Sequence, residues 1–297
     1  MKLNTAINEY LDYIELERKL SINTKATYTY GLSLYQQYLL QKNIKNIDDI
    51  KVSDINNYII YLKKRNKLTS TIAHQLSIIK SFHKFLFLRK YINVDISITI
   101  DRPKLKKKLP VFLTIEQVDK LLDIKPVSKF DYRNKAMLEL LYGAGLRISE
   151  LINVKINDLN VENATIICFG KGKKERIIPI GEYIIESIND YLNIRDQFLI
   201  NGYSDYLFLN NHGLKLSRQG FNKILNKILI NKNLPTKISP HSIRHSFATH
   251  MLDYGADLKV IQDLLGHSDI ATTKIYTQIS KNKTFKDYDI YHPRSHK

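Results

Sequence analysis

Residues 100–110 read Ile-Asp-Arg-Pro-Lys-Leu-Lys-Lys-Lys-Leu-Pro, a lysine run bracketed by two prolines. Proline fixes φ and has no N–H to donate, so neither a helix interior nor a central strand passes through such a stretch. The chain is divided there, and each side has to bury its own core. We expect a domain over residues 1–100, a basic linker over 101–110 and a second domain over 111–297. A chain of 297 residues is long enough for two domains. A lysine-rich linker either lies against a polyanion held between the lobes or is a solvated tether.

The first side reads as helices. Residues 4–16 place Ala6, Ile7, Tyr10, Leu11 and Ile14 at helical spacing, and residues 23–40 do the same with Tyr28, Leu32, Tyr35 and Leu39. Ser53 is a candidate N-cap for a helix over 54–64, and residues 70–88 carry Ile72, Leu76, Ile79, Phe82, Phe85 and Leu86 on one side. Four amphipathic helices with short connections make a small bundle.

The second side mixes elements. Thr114 and Gln117 form a capping box ahead of a helix, and residues 131–142 form another, ended by Gly143-Ala144-Gly145. Residues 165–169 and 176–180 are apolar and β-branched, with a turn-rich basic tip between them, which is a β-hairpin. A helix over 182–198, a short strand over 206–209 and a helix over 217–229 follow. The fold class is therefore mainly α, with an N-terminal four-helix domain and an α+β C-terminal domain built around a small hairpin or sheet.

Residues 239–276 hold the densest chemistry. Pro240 suits a helix start, and His241 and Arg244 lie three apart on that helix. Gly266 suits a helix stop in the left-handed conformation. Ser268 offers the next N-cap, and Tyr276 lies about two turns along. His, Arg and Tyr side chains gathered at helix edges place cationic donors around a phenol, as phosphoryl transfer to a tyrosine requires. His241 and His245 have metal-ligand spacing, but Arg244 between them opposes a cation, so we expect no metal and no cofactor. Gly170-Lys171-Gly172-Lys173 lacks phosphate-loop spacing and sits on a hairpin, which suits a flexible lysine-bearing tip that reaches into DNA. His245 and His250 read as structural.

The charge balance agrees. Lys and Arg total 46 against 29 Asp and Glu, a net charge of +17. That surplus points to nucleic acid through counterion release, although codon bias in an AT-rich genome enriches Lys, Asn and Ile in the same way. Cys168, the one cysteine, excludes an intramolecular disulfide and reads as a buried thiol. No apolar run has the length of a membrane span and no signal-peptide core opens the chain, so we expect a cytoplasmic protein without membrane contact.

Arg147, Lys171, His241, Arg244, His267 and Tyr276, in this order, resemble the active site of the tyrosine recombinase (phage integrase-type) family. The context resembles it too, in Gly145-Leu146-Arg147-Ile148-Ser149-Glu150-Leu151, in residues 241–250, and in Leu264-Leu265-Gly266-His267-Ser268. The resemblance spans nearly the whole chain, because a helical N-terminal lobe of this size is the family's core-binding domain, of the SAM-like type. The compact length and the ending resemble the bacterial Xer branch, XerC or XerD, leaning slightly toward XerC.

The resemblance implies roles. Arg147 and Arg244 would clamp the non-bridging oxygens of a phosphodiester, which forked guanidiniums do better than lysine. His241 would be the general base, His267 would steady the phosphate, Lys171 would protonate the leaving 5′-oxygen and Tyr276 would be the nucleophile that forms a 3′-phosphotyrosyl bond. It implies double-stranded DNA as substrate and a homo- or hetero-tetramer with a second Xer-type recombinase. It also implies a septal DNA translocase as a further partner and chromosome-dimer resolution at cell division as the role. Integration or resolution of a mobile element or plasmid, non-catalytic DNA binding and a metal-dependent nuclease are the alternatives. Phe285, Tyr288 and Ile290 in the tail from residue 277 either fold back or dock on a neighbouring recombinase in a ring, and the resemblance favours docking.

Overall fold

The computed structural model describes residues 1–18, 20, 22–103, 111–170, 175–200, 202–266 and 278–296. They divide into two units, Met1–Lys108 and Leu109–Lys297, each with its own hydrophobic core. The linker segment 104–110 lies outside the described residues.

The first unit consists of α1 (Leu3–Asp12), continued by a π-helical turn at Tyr13–Glu17, then α2 (Ile22–Gln41), α3 (Val52–Lys64) and α4 (Thr69–Leu88). The four expected helices are present. Leu3, Ile7, Tyr10 and Ile14 meet Leu32, Tyr35 and Leu39 of α2, Ile55 and Tyr58 of α3, and Ile79, Phe82 and Leu86 of α4 in one core. Each such side chain taken out of water contributes about 1.5–3 kcal/mol. The start of α3 differs from the expectation of a Ser53 cap. Lys51 is the N-cap, and its backbone N–H donates to Asp54 Oδ2 at 2.8 Å, so Ser53 falls inside the first turn.

The second unit begins with α5 (Ile115–Leu122), held by the Thr114–Gln117 capping box. Next come α6 (Lys129–Gly143) and the four-residue α7 (Ile148–Leu151). A three-stranded antiparallel sheet follows, ordered β1 (Leu159–Asn160), β2 (Thr165–Phe169) and β3 (Glu175–Pro179). The hairpin register pairs Ile166 with Ile178 and Cys168 with Arg176. The hairpin tip, residues 171–174, lies outside the described residues. The rest is α8 (Glu182–Ile194) with a 3-10 turn at Arg195–Phe198, α9 (Arg218–Asn231), α10 (Pro240–Asp253), α11 (Leu258–Leu265) and α12 (Gln278–Tyr291). Helix α6 is the centre of the unit: Met137, Leu138, Leu140, Leu141 and Tyr142 are all buried, so it meets neighbours on nearly every side. Cys168 is buried as expected.

Residues 206–209 are not a strand. Only isolated bridges form, Lys155 with Tyr206 and Leu209 with Lys215. Phe208 O accepts from Leu216 N at 3.3 Å, and the carbonyls of Tyr206, Leu207 and Leu209 are held by side chains instead of a neighbouring strand. Arg195 donates to Ser204, Tyr206 and Leu207 oxygens, Tyr191 to Leu207, and Arg133 to Leu209.

The tail departs from the docking expectation, because it folds back on its own unit. Tyr288 is fully buried and donates its hydroxyl to Gly143 O at 2.9 Å, with the His292 ring stacked on it at 4.8 Å. Arg294 forks onto Glu139, donating Nε to Oε2 and Nη2 to Oε1, and its Nη1 reaches Asp119 at 3.3 Å. Phe285 is half-buried, and Ile290 stays exposed. Burial pushes the Glu139 carboxyl above its ordinary range, against the pull of Arg294. Removing one partner of a buried pair leaves an uncompensated charge. Arg294→Ala should therefore lower unfolding free energy by about 3–5 kcal/mol, read from the urea midpoint. A shift of less than about 1 kcal/mol would mean that the Arg294–Glu139 pair does not stabilise the fold.

Candidate active site

Two chain reversals build the site. Between α6 and α7 the backbone turns at Gly145 with φ +57, and a Cβ there would lie 2.6 Å from the Phe247 ring. Only glycine suits both the left-handed conformation and the close approach. The turn delivers Arg147 to the N-cap of α7 and Glu150 one turn on. At the far end of the unit, Gly266 ends α11 in the left-handed conformation expected of it, φ 63 and ψ 47. Between them α10 starts at Pro240, with Ser239 accepting from Ser242 N at 3.2 Å. His241 lies in its first turn, exposed, and Arg244 lies one turn later, buried.

The centre is a carboxylate ringed by guanidiniums. Glu150 is nearly sealed from solvent, with its side chain 4% exposed. Arg147 donates its backbone N–H to Glu150 Oε2 at 2.8 Å and its Nη1 to Oε1 at 2.9 Å. Arg176 of β3 forks onto the same carboxylate at 3.0 and 2.7 Å. Arg244 Nη1 lies 3.7 Å from Oε2. Burial alone would raise the Glu150 carboxyl, but hydrogen bonds and charge from Arg176, and then Arg147, outweigh it and hold the group below its ordinary value. Burial and then the neighbouring Arg147 bring Arg244 down to about 10, which leaves it charged at neutral pH.

The same three arginines cap α11. Arg176 Nε donates to Leu264 O at 3.0 Å, Arg244 Nη2 to Leu265 O, and Arg147 Nη2 reaches Gly266 O at 3.5 Å. The last carbonyls of a helix lack intrahelical partners and favour cations. Arg244 Nη1 also donates to Gly145 O, so it ties the first reversal to the second.

Of the six expected residues, the structure brings Arg147 and Arg244 together around Glu150 and sets His241 on the helix of Arg244. Lys171, His267 and Tyr276 lie outside the described residues, as does the expected N-cap Ser268. His250 is structural: buried, with Nδ1 on the Tyr142 hydroxyl at 2.8 Å and Nε2 on Leu113 O at 2.9 Å. His245 packs edge-on against Phe112. Two charged groups central to the cluster had no role in the sequence reading. Glu150 was visible only as motif context, and Arg176 only as the first residue of a strand. The signal for Arg176 was its register, since a strand alternates faces and Arg176 shares the face of the buried Ile178.

Comparison with known proteins gives consistent matches. Residues 111–283 match the phage integrase family, and residues 7–90 match the phage integrase N-terminal SAM-like domain. The chain is 43% identical over 296 residues to the tyrosine recombinase XerD of Oceanobacillus iheyensis, covering 99% of this chain and 100% of that protein. It is 41% identical over 295 residues to XerD of Staphylococcus haemolyticus, with the same coverage. These names do not support the lean of the ending toward XerC. The Tn1549 transposon integrase in complex with circular intermediate DNA shares the fold, with a TM-score of 0.73 at 24% identity over 95% of this chain and 98% of that one. XerH bound to palindromic difH shares it with a TM-score of 0.69 at 23% identity over 92% and 81%.

Proposed function

The chain belongs to the phage integrase family, and on that premise we propose how its site works. The protein is a site-specific tyrosine recombinase of the Xer type that cuts and rejoins duplex DNA. One observation supports our reading of the chemistry: a single buried carboxylate, Glu150, is met by Arg147, Arg176 and Arg244. Three positive charges against one leave a surplus of two, and the Arg147 side chain is 40% open to solvent. A preorganised cationic site of this kind fits a phosphodiester, whose charge grows at the transition state.

In our assignment Arg147 and Arg244 hold the non-bridging oxygens. The Tyr276 oxygen attacks phosphorus and the bond to the 5′-oxygen breaks. His241 takes the phenol proton, Lys171 gives a proton to the leaving 5′-oxygen, and His267 steadies the phosphate. The 3′-phosphotyrosyl product keeps the energy of the bond it replaced, so a 5′-hydroxyl from a second duplex reseals the strand without ATP. We assign the work to a tetramer on two DNA sites, with either a second copy or a second Xer-type recombinase, resolving chromosome dimers under a septal DNA translocase. The XerD relatives support that role.

The test is a nicked suicide substrate from which the cut strand cannot be resealed. A denaturation-resistant protein–DNA adduct should form equally in excess EDTA and in magnesium. Loss in EDTA, restored only by metal, would instead favour a nuclease.

We also assign DNA contact to the N-terminal unit. Because each unit has a separate core, residues 111–297 should fold alone. That fragment should bind more weakly, with a shallower dependence of log K on log salt, since fewer phosphates are neutralised. Equal slopes for fragment and intact chain would remove the first unit from the interface.

A further inference from the structure

We propose that Arg176 is a positioning residue for strand cleavage: it neutralises Glu150 and pins the end of α11, so that the charge of Arg147 and Arg244 remains free for the phosphate. The proposal rests on the clamp assigned above.

Three observations carry it. First, Arg176 is turned inward. All three of its guanidinium nitrogens are spent on the protein, Nε on Leu264 O and the two terminal nitrogens on Glu150, so it is poorly placed to meet DNA itself. Second, it is the only one of the three arginines whose two terminal nitrogens both bond the carboxylate, one to each oxygen. Without it, Oε2 would be left to the backbone of Arg147 and to Arg244, already 3.7 Å away. Oε1 already holds Arg147 Nη1 at 2.9 Å. Glu150 would then draw both clamp residues onto itself, and the surplus charge would fall from two to one. Third, Arg176 Nε holds Leu264 O at 3.0 Å, two residues before Gly266. A Cβ on Gly266 would come within 3.0 Å of Arg176 Nη1, so the guanidinium and the helix stop are packed as one piece. The chain leaves that stop directly into residue 267.

Arg176 thus joins β3, α7 and the end of α11. Its register gives it this place: opposite Cys168 and on the same strand face as Ile178, it points into the unit beneath the two clamp arginines.

The experiment compares wild type, Arg176→Gln, Arg176→Lys and the double variant Glu150→Gln with Arg176→Gln. Single-turnover adduct formation on the suicide substrate and half-site binding are measured for each. Arg176→Gln should cleave about a hundredfold more slowly, the usual cost of a misplaced catalytic group, while binding the half-site within about threefold of wild type. Removing the carboxylate as well should recover at least about tenfold of the rate, because nothing then competes for the clamp. Arg176→Lys keeps the charge and should stay within about tenfold of wild type. A merely structural role predicts instead that half-site binding falls along with the rate in Arg176→Gln, since a buried charge without its partner destabilises the fold that binds DNA. The proposal is overturned if the double variant is as slow as Arg176→Gln, or if Arg176→Gln cleaves within about threefold of wild type. If Arg176→Gln does not fold, the double variant decides: cleavage within about tenfold of wild type supports the proposal, and inactivity overturns it. Arg244→Ala in the same assay separates this failure from failure of the clamp reading, which would show as a rate within about tenfold of wild type.

Discussion

Tyr276→Phe should give no protein–DNA adduct on the suicide substrate while binding the half-site with nearly unchanged affinity. The substitution removes one oxygen and keeps the ring, so it deletes the nucleophile and little else. Binding rests on phosphate contacts spread over a chain of net charge +17, and a neutral phenol adds little to them. The loss in cleavage should be complete at the detection limit, because a phenylalanine side chain cannot form a phosphoester. Adduct from Tyr276→Phe equal to that of wild type would remove Tyr276 from the mechanism.

Arg244→Ala should also cost most of the activity, for a reason that reaches into the fold. The side chain is buried, donates to Gly145 O and Leu265 O, and faces Glu150. Its removal leaves two buried carbonyls without these donors, at about 1–3 kcal/mol each, so the urea midpoint should fall along with the rate. Loss of one preorganised donor to the developing oxyanion is worth about a hundred- to a thousandfold in rate. Arg244→Lys restores the charge but not the fork, and should recover stability only in part and cleavage less. Single-turnover rates and denaturant titrations on the same preparations read both effects. A rate within about tenfold of wild type for Arg244→Ala would mean that Arg244 is a structural tie and not part of the clamp.

Local chemistry was the legible part of this fold. The Thr114–Gln117 box, Pro240 at a helix start and Gly266 at a helix stop each state a backbone requirement within a few residues, and each stands where it was expected. The helical periodicities of the first unit were equally plain, since apolar faces at 3.6-residue spacing need no distant partner to be read. What the sequence did not show was long-range satisfaction of polar groups. Residues 206–209 look like a strand because they are apolar, yet Arg195 and Tyr191 take the carbonyls that a neighbouring strand would need. Tyr288 reads as a tail residue awaiting a partner because Gly143, which holds it, lies 145 residues away, and Arg294 acquires a role only when Glu139 is beside it.

The candidate site divides in the same way. Arg147 and Arg244 were legible from motif context, and the structure sets them around one carboxylate. Glu150 and Arg176 acquire meaning only when α7, β3 and α11 meet. A buried charge on the inward face of a strand was the available clue, because such a charge requires a partner and Glu150 is the partner it finds.

The phenolic oxygen of Tyr276 as the atom that takes the DNA is tested directly by peptide mapping. The trapped adduct is digested with trypsin and the DNA-bearing peptide is sequenced by mass spectrometry. Cleavage after Lys274 and Lys281 releases residues 275–281, in which Tyr276 is the only tyrosine. A 3′-phosphate of DNA should be found esterified to that tyrosine. DNA recovered on any other peptide, or joined through its 5′ end, would rule out Tyr276 as the nucleophile of a 3′-phosphotyrosyl bond.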